Sequence, residues 1–216
     1  MSVYNIIPLG DHCAISEILR DLNLRKCSYP FDWIVMRGLI YNTNLHVNFD
    51  FLVELMQKHN VKSIVERFIG NAMQTPHKSF NNMYFPHEEG TEAEVIAKYE
   101  RRFERLYTHI KEKTNIFVML TRHIVMPEPY LNMVLYYILS YNPNNKLLVI
   151  SGSDYPYLKS QRYSNHVIFK HIPYDVTKVD KDYTQDYTEF RPAIREYMRE
   201  LFRSMGFDVP DKQPST

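Results

Sequence analysis

The stretch Asn115-Ile-Phe-Val-Met-Leu-Thr121 decides the fold, because five apolar residues follow one another without a polar interruption. A strand that is apolar on both faces is typical of a parallel sheet with helices on its two sides. Two later stretches have the same character, Lys146-Leu-Leu-Val-Ile-Ser151 and His166-Val-Ile-Phe-Lys-His171. We therefore predict that all three are buried strands of one sheet.

Strands and helices alternate along the rest of the chain. Residues 3–9 are apolar and predict a first strand, and residues 83–85 predict a short one. Apolar residues recur at helical spacing in four further segments: 13–22, 91–113, 127–141 and 188–205. Thr91, followed by Glu94, fits a capping box at the start of the second of these helices. The alternation predicts a three-layer α/β fold, in which a mostly parallel sheet of about five strands is flanked by helices.

The domain organisation follows from the length and from the absence of a linker. A chain of 216 residues suits one domain, and no Gly/Ser-rich stretch divides it. We expect a single α/β domain over residues 1–207, with a helical insertion or cap near 35–80. Residues 208–216 are mostly polar and contain proline, so we expect a flexible tail there.

Charge and cysteine content argue against several classes of protein. The 26 Lys and Arg residues almost balance 25 Asp and Glu residues, so no broad basic field favours nucleic acid or an anionic membrane. The sequence has neither a long uncharged apolar run nor a signal peptide, which predicts a cytoplasmic location. Two cysteines form neither a disulfide framework nor a zinc-binding pattern, so we expect free thiols, no metal and no cofactor.

The ends of the predicted strands carry residue types that catalysis uses. In parallel sheets, sites form beyond the carboxyl ends of the strands. These ends supply one set of nucleophiles, acids and bases: Asp11, His12, Cys13, His87, Arg122, His123, Ser151, Ser153, Asp154, His171 and Asp175. We expect part of this set to form a site.

Cys13 is the member with the most distinctive setting, because it lies in or near the first turn of a predicted helix. There the helix dipole and free backbone N–H groups are expected to lower the pKa of the thiol and to stabilise an oxyanion. The alternative is a small buried cysteine that packs the helix onto the sheet. Cys27 follows Lys26 in a loop and has no comparable setting.

Other candidates also have a structural interpretation beside the functional one. His87 is either a general base or a solvated histidine, and His12 is adjacent to Cys13 and is a second candidate base. Asp32 stands between Phe31 and Trp33, so its carboxylate is expected to be partly buried and to need a donor. It either clamps the structure or holds a substrate group.

Leu9-Gly10-x-x-Cys13 opens a helix, and Ser28-x-Pro30-Phe31-Asp32-Trp33-Ile34 follows about 15 residues on. With Phe85-x-His87, residues 98–105 and residues 116–118, these blocks resemble an uncharacterised family of papain-like cysteine peptidases, found in bacteria and large DNA viruses. The resemblance spans about residues 3–155. It implies that Cys13 is the nucleophile and His87 its base.

Three functions remain open. The first is a thiol-dependent hydrolase, peptidase or acyl transferase with Cys13 and His87, in which Asp154 or Asp32 orients the histidine. Substrate contacts are then expected from Asp11, His12, Asp32 and Arg122, and the substrate is a small molecule, a peptide or a glycan. The second is a transferase-like or binding domain for a nucleotide sugar or glycan without a nucleophilic cysteine. The third is a non-catalytic partner-binding domain, since 14% of the residues are aromatic.

Overall fold

A computed structural model describes residues 4–9, 13–32, 35–36, 43–73, 83–84, 90–122, 125–175, 177 and 184–211. In chain order, its strands and main helices are β1 (Tyr4–Pro8), α1 (Ala14–Asp21), β2 (Val35–Met36), α2 (Thr43–Lys58), α3 (Val61–Met73), β3 (Met83–Tyr84), α4 (Glu92–Glu112), β4 (Thr114–Thr121), α5 (Glu128–Tyr141), β5 (Lys146–Ser151), β6 (Val167–His171) and α6 (Arg191–Ser204).

The main sheet has the order β1-β4-β5-β6 and is parallel throughout. Helices cover both of its faces, which confirms the predicted three-layer α/β fold. Among the described residues, this sheet has four strands rather than the predicted five or so. β3 does not join this sheet but pairs antiparallel with β2, so that Val35 lies opposite Tyr84. The premise that His87 follows a strand of the main sheet is therefore wrong.

The pleat of β4 explains why its whole apolar run is buried. Successive side chains of a strand point to opposite faces. Phe117 and Met119 pack in the cluster that includes α2 to α5, whereas Ile116, Val118 and Leu120 pack in the cluster that includes α1 and α6. The central strand thus supplies core residues to two separate hydrophobic clusters.

The larger helical layer is organised around α4. Its capping box is confirmed, since the Thr91 N–H donates to Glu94 Oε2 at 2.8 Å and the Glu94 N–H donates to Thr91 Oγ1 at 3.4 Å. Phe103 of α4 meets Phe31 and Phe68 edge-on, with ring centroids 5.9 Å and 5.2 Å away. Because Phe68 lies in α3, the helices of the predicted insertion pack into the same core as the sheet.

The smaller layer consists of α1 and α6, and α6 follows directly on one π-helical turn, Asp186–Phe190. After α6 the chain lies back against that helix: Val209 is buried, and Arg203 Nη2 donates to the Val209 carbonyl at 2.9 Å. The first residues of the segment predicted as a tail are therefore packed. In the part of the chain that the structure describes, no helix is both long and apolar enough to span a membrane.

Gly152 is expected to be indispensable for the carboxyl edge of the sheet. A Cβ atom at this position would lie 1.9 Å from the Arg122 carbonyl oxygen and 2.5 Å from the Tyr174 Cβ. Gly152→Ala therefore forces the backbone apart and should lower the free energy of unfolding by about 3 kcal/mol. Urea denaturation followed by circular dichroism measures this loss.

Gly206→Ala is the control variant for the loss of stability in Gly152→Ala. Gly206 has a φ of +82° with nothing within 4 Å of its would-be Cβ, so only backbone strain of about 1 kcal/mol is expected. Equal losses for the two variants would contradict the close approach at Gly152.

Candidate functional site

The carboxyl ends of the four parallel strands meet along one edge. Main-chain hydrogen bonds continue past the strands there: the Leu9 N–H donates to Val118 at 2.8 Å and the Gly152 N–H donates to Thr121 at 2.9 Å. The Thr121 and Ser151 hydroxyls also lie 2.8 Å apart. The loops that follow the strands are thus held together where a parallel sheet places its sites.

Cys13 lies at this edge, at the N-cap of α1. Its carbonyl accepts the Glu17 N–H at 3.1 Å, which closes the first turn of the helix, and the residue is only 6% exposed. The first N–H groups of a helix have no partner within the helix. The thiol therefore lies at a helix N-terminus, as the strand–turn–helix pattern predicts.

Burial dominates the acidity of this thiol. Desolvation raises the pKa of Cys13 most, Glu17 raises it further, and the charges of Arg191 and Arg122 lower it without cancelling the increase. The expectation of a lowered pKa is wrong in direction, because removal from water and the charge of Glu17 outweigh the two arginines and the backbone hydrogen bond. At neutral pH the resting group is a neutral thiol.

A largely buried chain of ion pairs includes the three charged residues that act on the Cys13 thiol, Glu17, Arg191 and Arg122. Arg122 binds Asp186 with both ends of its guanidinium, Nε to Oδ1 at 2.7 Å and Nη2 to Oδ2 at 2.9 Å. Arg191 Nε contacts the same Asp186 carboxylate, and Arg191 Nη1 lies 2.6 Å from Glu17 Oε2. This cluster, called here the Asp186 network, joins the end of β4, the π-helical turn, α6 and α1.

Asp186 is the centre of the Asp186 network and is 1% exposed. Burial raises its pKa, but hydrogen bonds and charge from Arg122 and Arg191 outweigh this and hold the pKa below its ordinary value. Sequence reasoning found Arg122 but missed Asp186, Arg191 and Glu17. No local pattern reveals them, because their partners lie 64 and 174 residues away along the chain.

The other predicted site residues have separate surroundings. Asp154 follows β5, is exposed and binds Lys159 Nζ at 2.7 Å, and that hydrogen bond lowers the pKa of Asp154. Asp32 is fully buried: Arg25 Nε donates to its Oδ2 at 2.9 Å, the Tyr29 N–H at 3.0 Å, and burial raises its pKa. This geometry favours the clamp interpretation of Asp32.

The structure brings Cys13 and Arg122 to one edge of the sheet. Four further candidates lie outside the described residues, namely Asp11, His12, His87 and His123. Within the described ranges, no group of three or more His, Cys, Asp or Glu side chains is arranged to hold a metal ion.

Asp186→Asn should be strongly destabilising, because it keeps the shape of the side chain but removes the negative charge that the buried Arg122 and Arg191 guanidinium groups share, although Arg191 keeps its contact with Glu17. We expect the free energy of unfolding in urea to fall by about 3–5 kcal/mol. Asp154→Asn, at the exposed pair with Lys159, should cost less than about 1 kcal/mol. Similar losses for the two variants would contradict the role of the Asp186 network.

The pH dependence has a definite sign. A depressed carboxyl pKa contributes stability above the ordinary value of about 3.8, and this contribution is lost as the pH falls through the folded-state pKa. The difference in stability between the wild type and Asp186→Asn should therefore shrink below about pH 4.

Comparison with known proteins gives one match. The profile of one protein family matches residues 4–142, which include Cys13, His87 and Arg122, whereas Asp154 lies beyond the match. No curated protein and no solved structure matches the chain. Since the family match covers more than half of the sequence, the chain belongs to the family described as "Putative papain-like cysteine peptidase (DUF1796)".

Proposed function

We propose that the protein is a thiol-dependent hydrolase or peptidase in which Cys13 is the nucleophile. One observation carries the proposal: the Cys13 thiol lies at the N-terminus of α1, at the carboxyl edge of a parallel sheet, under the influence of Arg122 and Arg191. Membership of a family described as papain-like peptidases supports the same residue.

A neutral resting thiol needs a base during the attack. His87 is the proposed base, because it follows Cys13 in the order that papain-like enzymes use and lies within the residues of the family match. As the sulfur attacks a carbonyl carbon, His87 takes the thiol proton, and the backbone N–H groups at the start of α1 stabilise the oxyanion. His87 then protonates the leaving group, and water hydrolyses the thioester.

Two guanidinium groups of the charge-balanced Asp186 network, those of Arg122 and Arg191, lower the pKa of the reacting thiol. Asp186 binds Nε and Nη2 of Arg122, so the orientation of that guanidinium is set before substrate arrives. Its charge favours the thiolate and the oxyanion over the neutral ground state. We assign Arg122 to this electrostatic role, and Asp11 and His12, next to Cys13 in the sequence, to substrate contacts.

Two carboxylates are candidates for orienting the base. Asp154 follows β5 at the same sheet edge as Cys13, although it is exposed and bound to Lys159. Asp32 is already engaged by Arg25 and the Tyr29 N–H, and is therefore the weaker choice. We propose Asp154 for this role.

A second candidate function is a domain that binds a phosphate-bearing ligand, such as a nucleotide sugar, without covalent chemistry. The observation that favours it is the presence of Arg122 and Arg191 near a helix N-terminus, a combination that suits anions. The two functions differ in whether the sulfur of Cys13 is required.

Removal of the sulfur tests the proposal directly. Cys13→Ser should lower the hydrolysis of p-nitrophenyl acetate and of a fluorogenic peptide mixture at least about 10²-fold, and His87→Gln should lower it by about 10²- to 10⁴-fold. Mass spectrometry of the wild type quenched at early times should show an acyl group on Cys13.

Cys27→Ser is the matched control and should retain full activity. Unchanged hydrolysis in Cys13→Ser would overturn the proposal. If the wild type and Cys13→Ala both fail to hydrolyse these substrates, but a nucleotide sugar stabilises both proteins against unfolding, the second candidate is supported instead.

Glu17→Gln should make Cys13 more acidic, because Glu17 raises the thiol pKa and also faces Arg191. In a Cys27→Ser background, the rate at which iodoacetamide alkylates Cys13 is measured as a function of pH. The midpoint of this profile should lie above the pKa of about 8.5 of a free thiol. Glu17→Gln should move this midpoint to lower pH and speed the reaction at pH 8.

Glu112→Gln, an exposed substitution at the far end of α4, is the control and should leave the alkylation profile unchanged. An unshifted or higher midpoint in Glu17→Gln would contradict the electrostatic description of the thiol.

A further inference from the structure

A cavity of about 980 Å³ opens at the opposite edge of the sheet, where the parallel strands begin. Its lining includes Tyr4 and Asn5 of β1, whereas Cys13 lies beyond the other end of that strand. The remaining walls come from the loop after α1, the last turns of α4 and the turn after α6. The cavity is therefore separate from the proposed thiol site.

A buried hydrogen-bond network fixes one wall of the cavity. The Tyr29 hydroxyl lies 2.7 Å from His109 Nδ1 and accepts Asn5 Nδ2 at 2.8 Å. Asn115 is fully buried, and its Nδ2 donates to the His109 carbonyl at 3.0 Å. The one hydroxyl proton has two acceptors within reach, His109 Nδ1 at 2.7 Å and Asn5 Oδ1 at 3.2 Å. We assign it to the shorter contact, which leaves His109 with its own proton on Nε2.

The charges around the cavity are mostly positive. Its lining contains three basic residues, Lys26, Arg105 and Lys113, and one acidic residue, Asp208. Burial lowers the pKa of His109 most, and the charges of Lys113 and Arg105 lower it further. The effect of these two charges shows a positive potential at the imidazole. The histidine is therefore neutral at pH 7 and is a hydrogen-bond donor through Nε2.

The cavity also contains the second cysteine and apolar surface. Cys27 lines it and is half-buried, a setting that the sequence does not indicate. Leu24 and Phe207 add apolar wall. Sites for small molecules commonly combine apolar walls with a few fixed polar groups in this way.

We propose that this cavity binds a small molecule that carries a carboxylate or phosphate group. Lys26, Arg105 and Lys113 attract the anion, and His109 Nε2–H donates a hydrogen bond to it. Leu24 and Phe207 contact the apolar body of the ligand. The proposal does not depend on catalysis by Cys13.

The test uses two probes, inorganic pyrophosphate and citrate, to distinguish the phosphate from the carboxylate. Each is titrated into the full-length protein at pH 7 while the His109 imidazole resonances are followed by NMR and assigned with His109→Gln. We expect saturable shifts with one or both probes. Lys26→Gln/Lys113→Gln, which changes two exposed side chains, should weaken binding at least about tenfold.

Two controls make the test specific. Lys58→Gln/Lys62→Gln removes the same charge from exposed positions on α2 and α3 and should change the affinity less than about twofold. Cys13→Ser should bind both probes as the wild type does, so that failure of the proposed hydrolase leaves this result unaffected. Absence of any His109 shift, or equal weakening in the two double variants, would overturn the proposal.

Cys27 provides an independent measurement. In a Cys13→Ser background, Cys27 is alkylated by anionic iodoacetate and by neutral iodoacetamide. The ratio of the iodoacetate rate to the iodoacetamide rate should be higher for Cys27 than for a model thiol. Lys26→Gln/Lys113→Gln should lower this rate ratio several-fold, because it removes charge that attracts the anion. An unchanged ratio would show that the cavity does not concentrate anions and would overturn the proposal.

Discussion

The bidentate contact between Arg122 and Asp186 is the interaction on which the carboxyl edge of the sheet depends. It joins the end of β4 to the π-helical turn before α6, and Arg191 extends it to Glu17 of α1. Burial of these charges has a large desolvation cost, so an apolar cluster of similar volume would be expected to stabilise the fold as well or better. The arrangement is better explained by what it does locally, which is to hold two guanidinium groups in fixed positions near Cys13.

Those guanidinium groups and the burial of the thiol have opposite effects on the pKa of Cys13. Desolvation of Cys13, together with the charge of Glu17, outweighs Arg191 and Arg122, so the ground state is a neutral thiol although two guanidinium groups favour its ionisation. Such a site stabilises charge that develops during reaction more than charge that is present beforehand. The proposed enzyme is therefore one in which proton transfer accompanies attack, rather than one with a preformed thiolate–imidazolium pair.

The parts of the structure that sequence predicts well are those in which cause and effect are close in the chain. The apolar run of β4 requires burial on both faces, and Thr91 and Glu94 satisfy each other within one turn. The sequence does not predict the antiparallel pairing of β2 with β3, because two-residue strands carry no periodicity. The paired residues also lie about 48 residues apart along the chain.

The candidate site shows the same division between local and distant causes. Cys13 could be found from a strand, a turn and a helix, which are local features. Asp186 and Arg191 could not, since their contacts with Arg122 and Glu17 depend on how the last helix packs. The sequence assigns Cys27 no distinctive setting for another reason: the carboxyl-edge rule directs attention away from the amino edge, where Cys27 lies.

The two edges of the sheet differ in their backbone electrostatics as well as in their side chains. α1 begins at the carboxyl edge and ends at the amino edge, so its dipole is positive near Cys13 and negative near the basic cavity. Part of the basic charge at the amino edge offsets backbone carbonyls, because Lys26 donates to the Asn23 carbonyl and Arg105 to the Ser28 carbonyl. The helix dipole and the basic side chains thus oppose each other at the amino edge, whereas at the carboxyl edge the dipole and two guanidinium groups favour an anion and Glu17 disfavours it. An anion at the amino edge therefore gains its affinity from the excess of basic side chains, from hydrogen bonds such as that of His109, and from apolar contact.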